Sequence, residues 1–164
     1  MALAMTDAEL YEADFYAWTQ VQADRLRRLQ AERANLDLDL PHLAEEVEDL
    51  GKAERNLLRS HLRRIIEHCL KLEWSRAQEP RRSWRLSIIE ARIEISDHLT
   101  ATLRRDVADE LPRLHEQARR LARQALIGKG EADAAAALPA DCPYTLDQLL
   151  DDDWYPTNRH GVRD

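Results

Sequence analysis

Residues 41–74, PHLAEEVEDLGKAERNLLRSHLRRIIEHCLKLEW, constrain this chain more than any other stretch. Pro41 suits a first helical turn, where its missing N–H would be unpaired anyway. Glu45, Glu46, Glu48 and Asp49 then lie near the positive end of the helix dipole, with Arg63, Arg64 and Lys71 towards the other end. At about 100° per residue, Leu43, Val47, Leu50, Leu57, Ile65 and Leu72 fall within about 40° of one line. The pattern predicts one amphipathic helix over 41–75, about 50 Å long at a rise of about 1.5 Å per residue. Gly51 weakens that helix by about 1 kcal/mol relative to Ala, and so marks a bend or a close helix contact.

Three polar residues share the leucine line: Glu54, His61 and His68. A seven-residue step returns nearly to the same azimuth, so all three are expected to point inward, where a bare charge is costly. Successive members are about 10.5 Å apart along the axis, too far to share one ion unaided. Two readings are open. In one, these are buried polar groups hydrogen-bonded to Arg, Tyr or backbone. In the other they are metal ligands, with His98 or Glu94 supplied by another helix; neutral imidazole and carboxylate suit Zn²⁺, Fe²⁺ or Ni²⁺ alike. No cofactor is expected beyond such a divalent transition metal. The Glu-x-x-His pair typical of di-iron bundles is absent, since Glu94 and His98 are four apart.

The rest of the chain reads as further helices. Thr6 and Glu9 form a capping-box pattern that opens a first helix over 6–34, with Phe15, Trp18, Val21, Leu26 and Leu29 as its core face. Asn35 to Leu40 form a short link, which makes the first and long helices antiparallel neighbours. Pro80 breaks the periodicity, and Ser83 is a good N-cap for a third helix over 83–107 with a stripe of Trp84, Ile88, Ala91, Ile95, Leu99 and Thr102. Pro112 restarts a fourth helix over 111–127, stopped by Gly128, with Leu114, Ala118, Leu121 and Leu126 inward. The tail, 131–164, holds an Ala run and one short helix capped by Thr145. Its Asp151-Asp152-Asp153 run lacks the Gly and final Glu of a Ca²⁺ loop, and reads as a solvated acidic end or a latch onto the basic middle. The expected fold is therefore all-α: a single helical domain, a bundle of about four main helices around one long central helix, plus a short C-terminal helix.

Composition narrows the function. Few glycines and no apolar run near the ~20 residues of a membrane span exclude a phosphate cradle and a spanning helix. The first residues lack a signal peptide's basic start and apolar core, so a cytoplasmic protein is expected. Cys69 and Cys142 are placed as reduced thiols. Residues 1–54 carry 13 acids and 5 bases, 55–130 carry 10 and 17, and 131–164 carry 8 and 2. That basic middle is read as neutralised by the acidic ends. No G-x-S-x-G occurs, and Ser60 beside His61, or His68 beside Cys69, point about 100° apart on a helix, so neither pair is a nucleophilic dyad.

Four segments in order, YEADFYAW from Tyr11, LDLDLPHLAEEVEDLGKAERNLLRSHLRRIIEHCLKL from Leu36, SWRLSIIEARIEI from Ser83 and CPYTLDQLL from Cys142, together resemble the bacterial family known as domain of unknown function 29. The resemblance covers about residues 11–155. It implies a helical fold and no established activity. It extends to Glu45, Glu46, Glu54 and His68 but not to His61, which counts against a simple Glu54–His61–His68 site. The function expected is a non-enzymatic interaction, scaffold or regulatory protein that self-associates or binds a partner chain, through an exposed apolar strip on the long helix or at Trp154–Tyr155. The alternatives are the metal-binding bundle enzyme and a nucleic-acid-binding module using the ridge of Arg55, Arg59 and Arg63 with the turn from Arg81 to Arg85.

Overall fold

A computed structural model of the protein describes residues 5–32 and 36–163. Eight helices and no strand occur among the described residues: α1 Asp7–Ala13, α2 Phe15–Ala31, α3 Leu40–Trp74, α4 Arg81–His98, α5 Ala101–Asp109, α6 Leu111–Gly128, α7 Ala132–Ala137 and α8 Leu146–Leu150. The chain is all-α, and its four main helices, α2, α3, α4 and α6, stand where the hydrophobic periodicity places them. The chain packs as two compact units. The first holds residues up to Leu57 together with Leu99–Asp106, and the second holds Leu58–His98 and Val107 onward. The long helix α3 contributes its first half to one unit and its second half to the other.

In the first unit, the helix expected over 6–34 is broken at Asp14. Thr6 and Glu9 do form the capping box of α1, Thr6 N–H donating to Glu9 Oε2 at 2.7 Å. Asp14 then starts α2, its carboxylate accepting from Ala17 N–H at 3.0 Å and from Thr102 N–H, in the first turn of α5, at 3.0 Å. One buried side chain thus caps two helices, and that second task fixes the break. Burial pushes the Asp14 carboxyl up, but the amides and hydroxyls of Ala17, Thr102 and Thr100 outweigh it and hold it below its ordinary value. The expected helix end near Ala34 and the start of the link at Asn35 lie outside the described residues.

The buried side of α2 is Tyr16, Thr19 and Ala23, rather than the larger residues expected; Phe15, Trp18, Val21 and Leu26 are half-buried and Leu29 is exposed. On α3 the buried residues of this unit are Leu40, Ala44 and Gly51. Small residues are buried on both helices for one reason. A Cβ on Gly51 would overlap Thr19 Oγ1 and crowd Gln20 Nε2 at 3.1 Å, so the Thr19 side chain of α2 packs directly on the α3 backbone at this glycine. The close contact proposed for Gly51 is what the structure contains. The first-unit part of the leucine line is consequently turned outward: Leu43 is 40 % and Leu50 54 % exposed and Val47 and Leu57 are half-buried, whereas Ile65 and Leu72 further along the same line are buried as expected. The buried face through Ala44, Gly51, Leu58, Leu62 and Cys69 lies roughly 85° round the helix from the line drawn through Leu43 and His61.

In the second unit α3 is buried more fully, through Leu58, Leu62, Ile65, Ile66, Cys69, Leu70 and Leu72. The helix expected over 83–107 begins earlier, at Arg81, and stops at His98. Ser83 is not its cap; its hydroxyl donates back to Pro80 O at 2.8 Å within the first turn. Trp84, Ile88, Ala91 and Ile95 are buried as expected, while Leu99 and Thr102 are only half-buried because the chain breaks before α5. On α6 Leu114, Ala118 and Leu126 are buried, but Leu121 is exposed and Ala122 takes the inward place. Gly128 remains helical, and the stop belongs to Gly130, whose φ of 78° lets Glu131 N–H reach Leu126 O at 2.9 Å. The Ala run forms α7, packed on α6, and Thr145 caps α8 with Gln148 in a full capping box.

Candidate functional site

Of the residues singled out in the sequence, His61, Glu94 and His98 of the second unit lie near enough to act on one another's charge. Glu54 is half-buried in the first unit, whereas His61, His68 and His98 are half-buried in the second. Glu54, His61 and His68 sit at the edge of the buried face of α3, and His98 ends α4. Among the described residues no three of His, Cys, Asp and Glu are gathered as metal ligands. The inward trio expected from periodicity is thus corrected to a row of half-buried groups. For His61 and His68 the physics is that of desolvated imidazole. Burial lowers the His61 pKa, Arg64 and His98 lower it further, and Glu94 opposes them. His68 is held down to about 4 by burial first, then by Lys71 and Arg64, against the pull of Glu67. Nδ1 of each ring is buried without a hydrogen-bond partner. Both rings are neutral near pH 7.

The densest polar chemistry lies where the tail meets the end of α3, within the second unit. Arg92, buried on α4, donates to the carbonyls of Leu149 at 2.9 Å, Asp152 at 3.2 Å and Trp154 at 2.9 Å. Glu73, buried near the end of α3, accepts from Tyr144 Oη at 2.6 Å and Arg159 Nε at 2.8 Å. Asn158 Nδ2 donates to Leu72 O at 2.8 Å and Ser75 O at 2.9 Å, satisfying carbonyls that the helix end leaves open. Glu131 binds Ser75 Oγ and Arg76 N–H, each at 2.6 Å. The tail is therefore a latch, but not through its acids. Asp151, Asp152 and Asp153 are exposed, and the basic residue Arg92 holds backbone carbonyls instead. Trp154 packs edge-on against Tyr144, and Tyr155 lies under the guanidinium of Arg85 at 4.1 Å and of Arg92 at 5.0 Å. Both rings are half-buried and engaged within the chain.

A cavity of about 350 Å³ opens beside the latch, lined by Leu111, Pro112, His115, Asp141, Cys142 and Tyr144. His115 is fully buried, its Nε2 has no partner, and burial lowers its pKa, aided by Arg119 and opposed by Asp141. This arrangement can hydrogen-bond a small guest but is not a nucleophilic site. Cys142 Sγ donates to Tyr144 O at 3.4 Å, and burial raises its pKa, so the sulfur stays a thiol. Sequence reasoning passed over His115, although its step of four from Leu111 and three from Ala118 places it on the inward arc of α6. It also passed over Glu73, Arg92 and Tyr144, whose partners lie 57 or more residues away; no local pattern encodes such pairs.

Of the arginine ridge, Arg59 forms an ion pair with Glu110 inside the second unit, the role of a neutralising partner. No helix among the described residues is long and apolar enough to cross a membrane.

Comparison with known proteins adds a lineage. No curated protein matches the sequence. Among solved structures the chain is similar to an alpha-helical protein of unknown function from Rhodospirillum rubrum, with 33% identity over 88% of this chain and 90% of that one and a TM-score of 0.76. The family description Domain of unknown function DUF29 matches residues 10–155. The four sequence segments, the long helix with its close-contact glycine, and this match over most of the chain agree: the protein belongs to the DUF29 family.

Proposed function

We propose that the protein acts as a non-enzymatic protein-binding module whose first unit presents the outward leucine line of α3 to a partner chain. The observation that carries this reading is the exposure of Leu43 and Leu50, seven residues apart on one helix face, with Leu36 and Leu38 exposed just before it. A helix face that is apolar yet faces solvent has no folding role of its own, and such strips mark binding surfaces. Glu45, Glu46 and Asp49 are exposed around it, in a segment that carries 13 acids against 5 bases over residues 1–54. The partner that fits is an amphipathic helix with an apolar ridge bordered by Lys or Arg, since opposite potential steers encounter and excludes acidic competitors. The polar groups elsewhere favour structure over catalysis: burial keeps the His61, His68 and His115 rings neutral, and the carboxylates of Glu73 and Glu131 are each held by two donors at the latch.

The test places a photo-crosslinking residue at position 50 in native cells, identifies the captured chain, and titrates the purified partner against wild type and a Leu43→Glu/Leu50→Glu variant. The expected result is a partner with a basic amphipathic segment whose affinity falls by about 100-fold in the variant, as for loss of a central apolar anchor. A partner that binds wild type and variant equally would remove the strip from the function.

A further inference from the structure

A second apolar face, on α4 in the second unit, is left open to solvent. Leu86 is 50 %, Ile89 43 % and Ile93 55 % exposed. Their spacing of three and four places them on one line of the helix, opposite the buried line of Trp84, Ile88, Ala91 and Ile95. This line continues to exposed Arg82 at one end and exposed Asp97 at the other, with exposed Glu90 and Glu94 alongside its acidic half. α4 is thus amphipathic twice over: one apolar face goes into the core, and the other has no cover among the described residues.

The charges around this second face run the wrong way for an isolated helix. Acids stabilise a helix near its N-terminus and bases near its C-terminus. Here the first turn has no acid and carries Arg82, while Glu94 and Asp97 fall in the last turns. A neighbouring helix of opposite direction would reverse the account, because its own acidic end would lie against Arg82 and its basic end against Asp97. The chain supplies such a neighbour in a second copy of α4. Turned about a twofold axis near Ile89, Leu86 of one copy lies beside Ile93 of the other, and Arg82 lies opposite Asp97 twice. A parallel pairing would instead set Arg82 on Arg82 and Asp97 on Asp97.

We infer that the exposed face of α4 pairs antiparallel with α4 of a second copy of this chain, forming an isologous dimer around Leu86, Ile89 and Ile93 locked in direction by Arg82 and Asp97. This goes beyond the partner-binding reading, which uses α3 in the other unit. The occupant is self-complementary in both shape and charge, as a twofold interface requires. One helix face with three large apolar side chains is smaller than a standard interface of about 1,600 Å², so the dimer is a weak one, with a dissociation constant on the order of 10 μM.

Sedimentation velocity of the full chain from about 2 to 200 μM reads the equilibrium directly. The expected result is a concentration-dependent shift from monomer to dimer. Ile89→Asp and Ile93→Lys, each at an exposed position and checked for unchanged helicity by circular dichroism, raise the dissociation constant by about tenfold or more. Arg82→Asp and Asp97→Arg singly weaken it about fivefold, and the double variant R82D/D97R, which restores opposite charges across the axis, recovers it to within about twofold. A monomer throughout the range overturns the inference, as does a dimer indifferent to Ile89→Asp and Ile93→Lys. Failure of the double variant to recover overturns the antiparallel pairing. Sedimentation of Leu43→Glu/Leu50→Glu separates the two proposals, since that variant loses its partner but keeps this dimer.

Discussion

Gly51→Ala is the perturbation that discriminates best, because two effects of known size oppose each other there. On helix propensity alone the change stabilises α3 by about 1 kcal/mol, as Ala is the better helix former in a helix interior. The packing says otherwise. The new methyl would overlap Thr19 Oγ1 and come within 3.3 Å of Thr19 Cβ and 3.1 Å of Gln20 Nε2. Gln20 can swing away, but Thr19 cannot: it is fully buried, β-branched, and its hydroxyl donates to Tyr16 O at 2.7 Å. Relief requires α2 and α3 to separate, and overpacking of this kind costs about 1–3 kcal/mol before the propensity gain is subtracted. The net expectation is a change between neutral and a loss of about 2 kcal/mol, or up to about 8 °C in Tm for a protein of this size. Urea denaturation of wild type, Gly51→Ala, Thr19→Ala and the double variant completes the cycle. In the Thr19→Ala background, Gly51→Ala should be stabilising by the propensity gain, a coupling of about 1–3 kcal/mol. Stabilisation by Gly51→Ala in the wild-type background would mean that the two helices do not touch at this glycine, and the rotated face of α3 would lose its cause.

The remaining predictions concern the second unit. Arg92→Met leaves the carbonyls of Leu149, Asp152 and Trp154 without their buried donor and should cost about 2–4 kcal/mol; limited proteolysis should then cut the tail after Leu150 far faster than in wild type, and an unchanged digestion pattern would dismiss the latch. His68 takes up its proton more readily in the unfolded chain, at the ordinary 6.5, than in the folded one, at about 4. Stability from this group is therefore full above about pH 6.5 and declines as pH falls towards 4, by about 1 kcal/mol between pH 7 and 5 once solvent screening is allowed for. Denaturation curves at the two pH values should show that His68→Gln loses this part of the slope while keeping the parts due to His61 and His115. Burial pushes the Cys69 thiol up to about 12, so it should react with a thiol reagent only on unfolding, whereas half-buried Cys142 reacts in the native protein; two equally fast thiols would contradict the burial of α3.

What the sequence made legible was set by strong local signals. Thr6–Glu9 and Thr145–Gln148 announce helix starts because both halves of a capping box lie within four residues. Trp84, Ile88, Ala91 and Ile95 announce a core face because large and small apolar residues recur with one period on a helix covered on that side. The face of α3 was misjudged because periodicity was weighed by side-chain size. Large leucines drew the line, but α2 packs against α3 at Gly51, where the absence of a side chain is what matters, and Leu43 and Leu50 remain for solvent or a partner. Glu54, His61 and His68 inherited that error. Asp14 hid its role since the second amide it caps belongs to Thr102, and Arg92 hid its own since its acceptors are carbonyls beyond residue 148.

The outward turn of the leucine line on α3 supports both the loss of the inward polar trio and the proposed binding surface, and cysteine accessibility measures it directly. In a Cys142→Ser background, Leu43→Cys and Leu50→Cys should react with a maleimide in the native state at rates within about tenfold of the unfolded chain, while Ala44→Cys and Leu58→Cys are protected by a factor of about 1,000 or more, the protection set by local opening. Fast reaction at 44 and 58 with protection at 43 and 50 would return the leucines to the core and contradict the account.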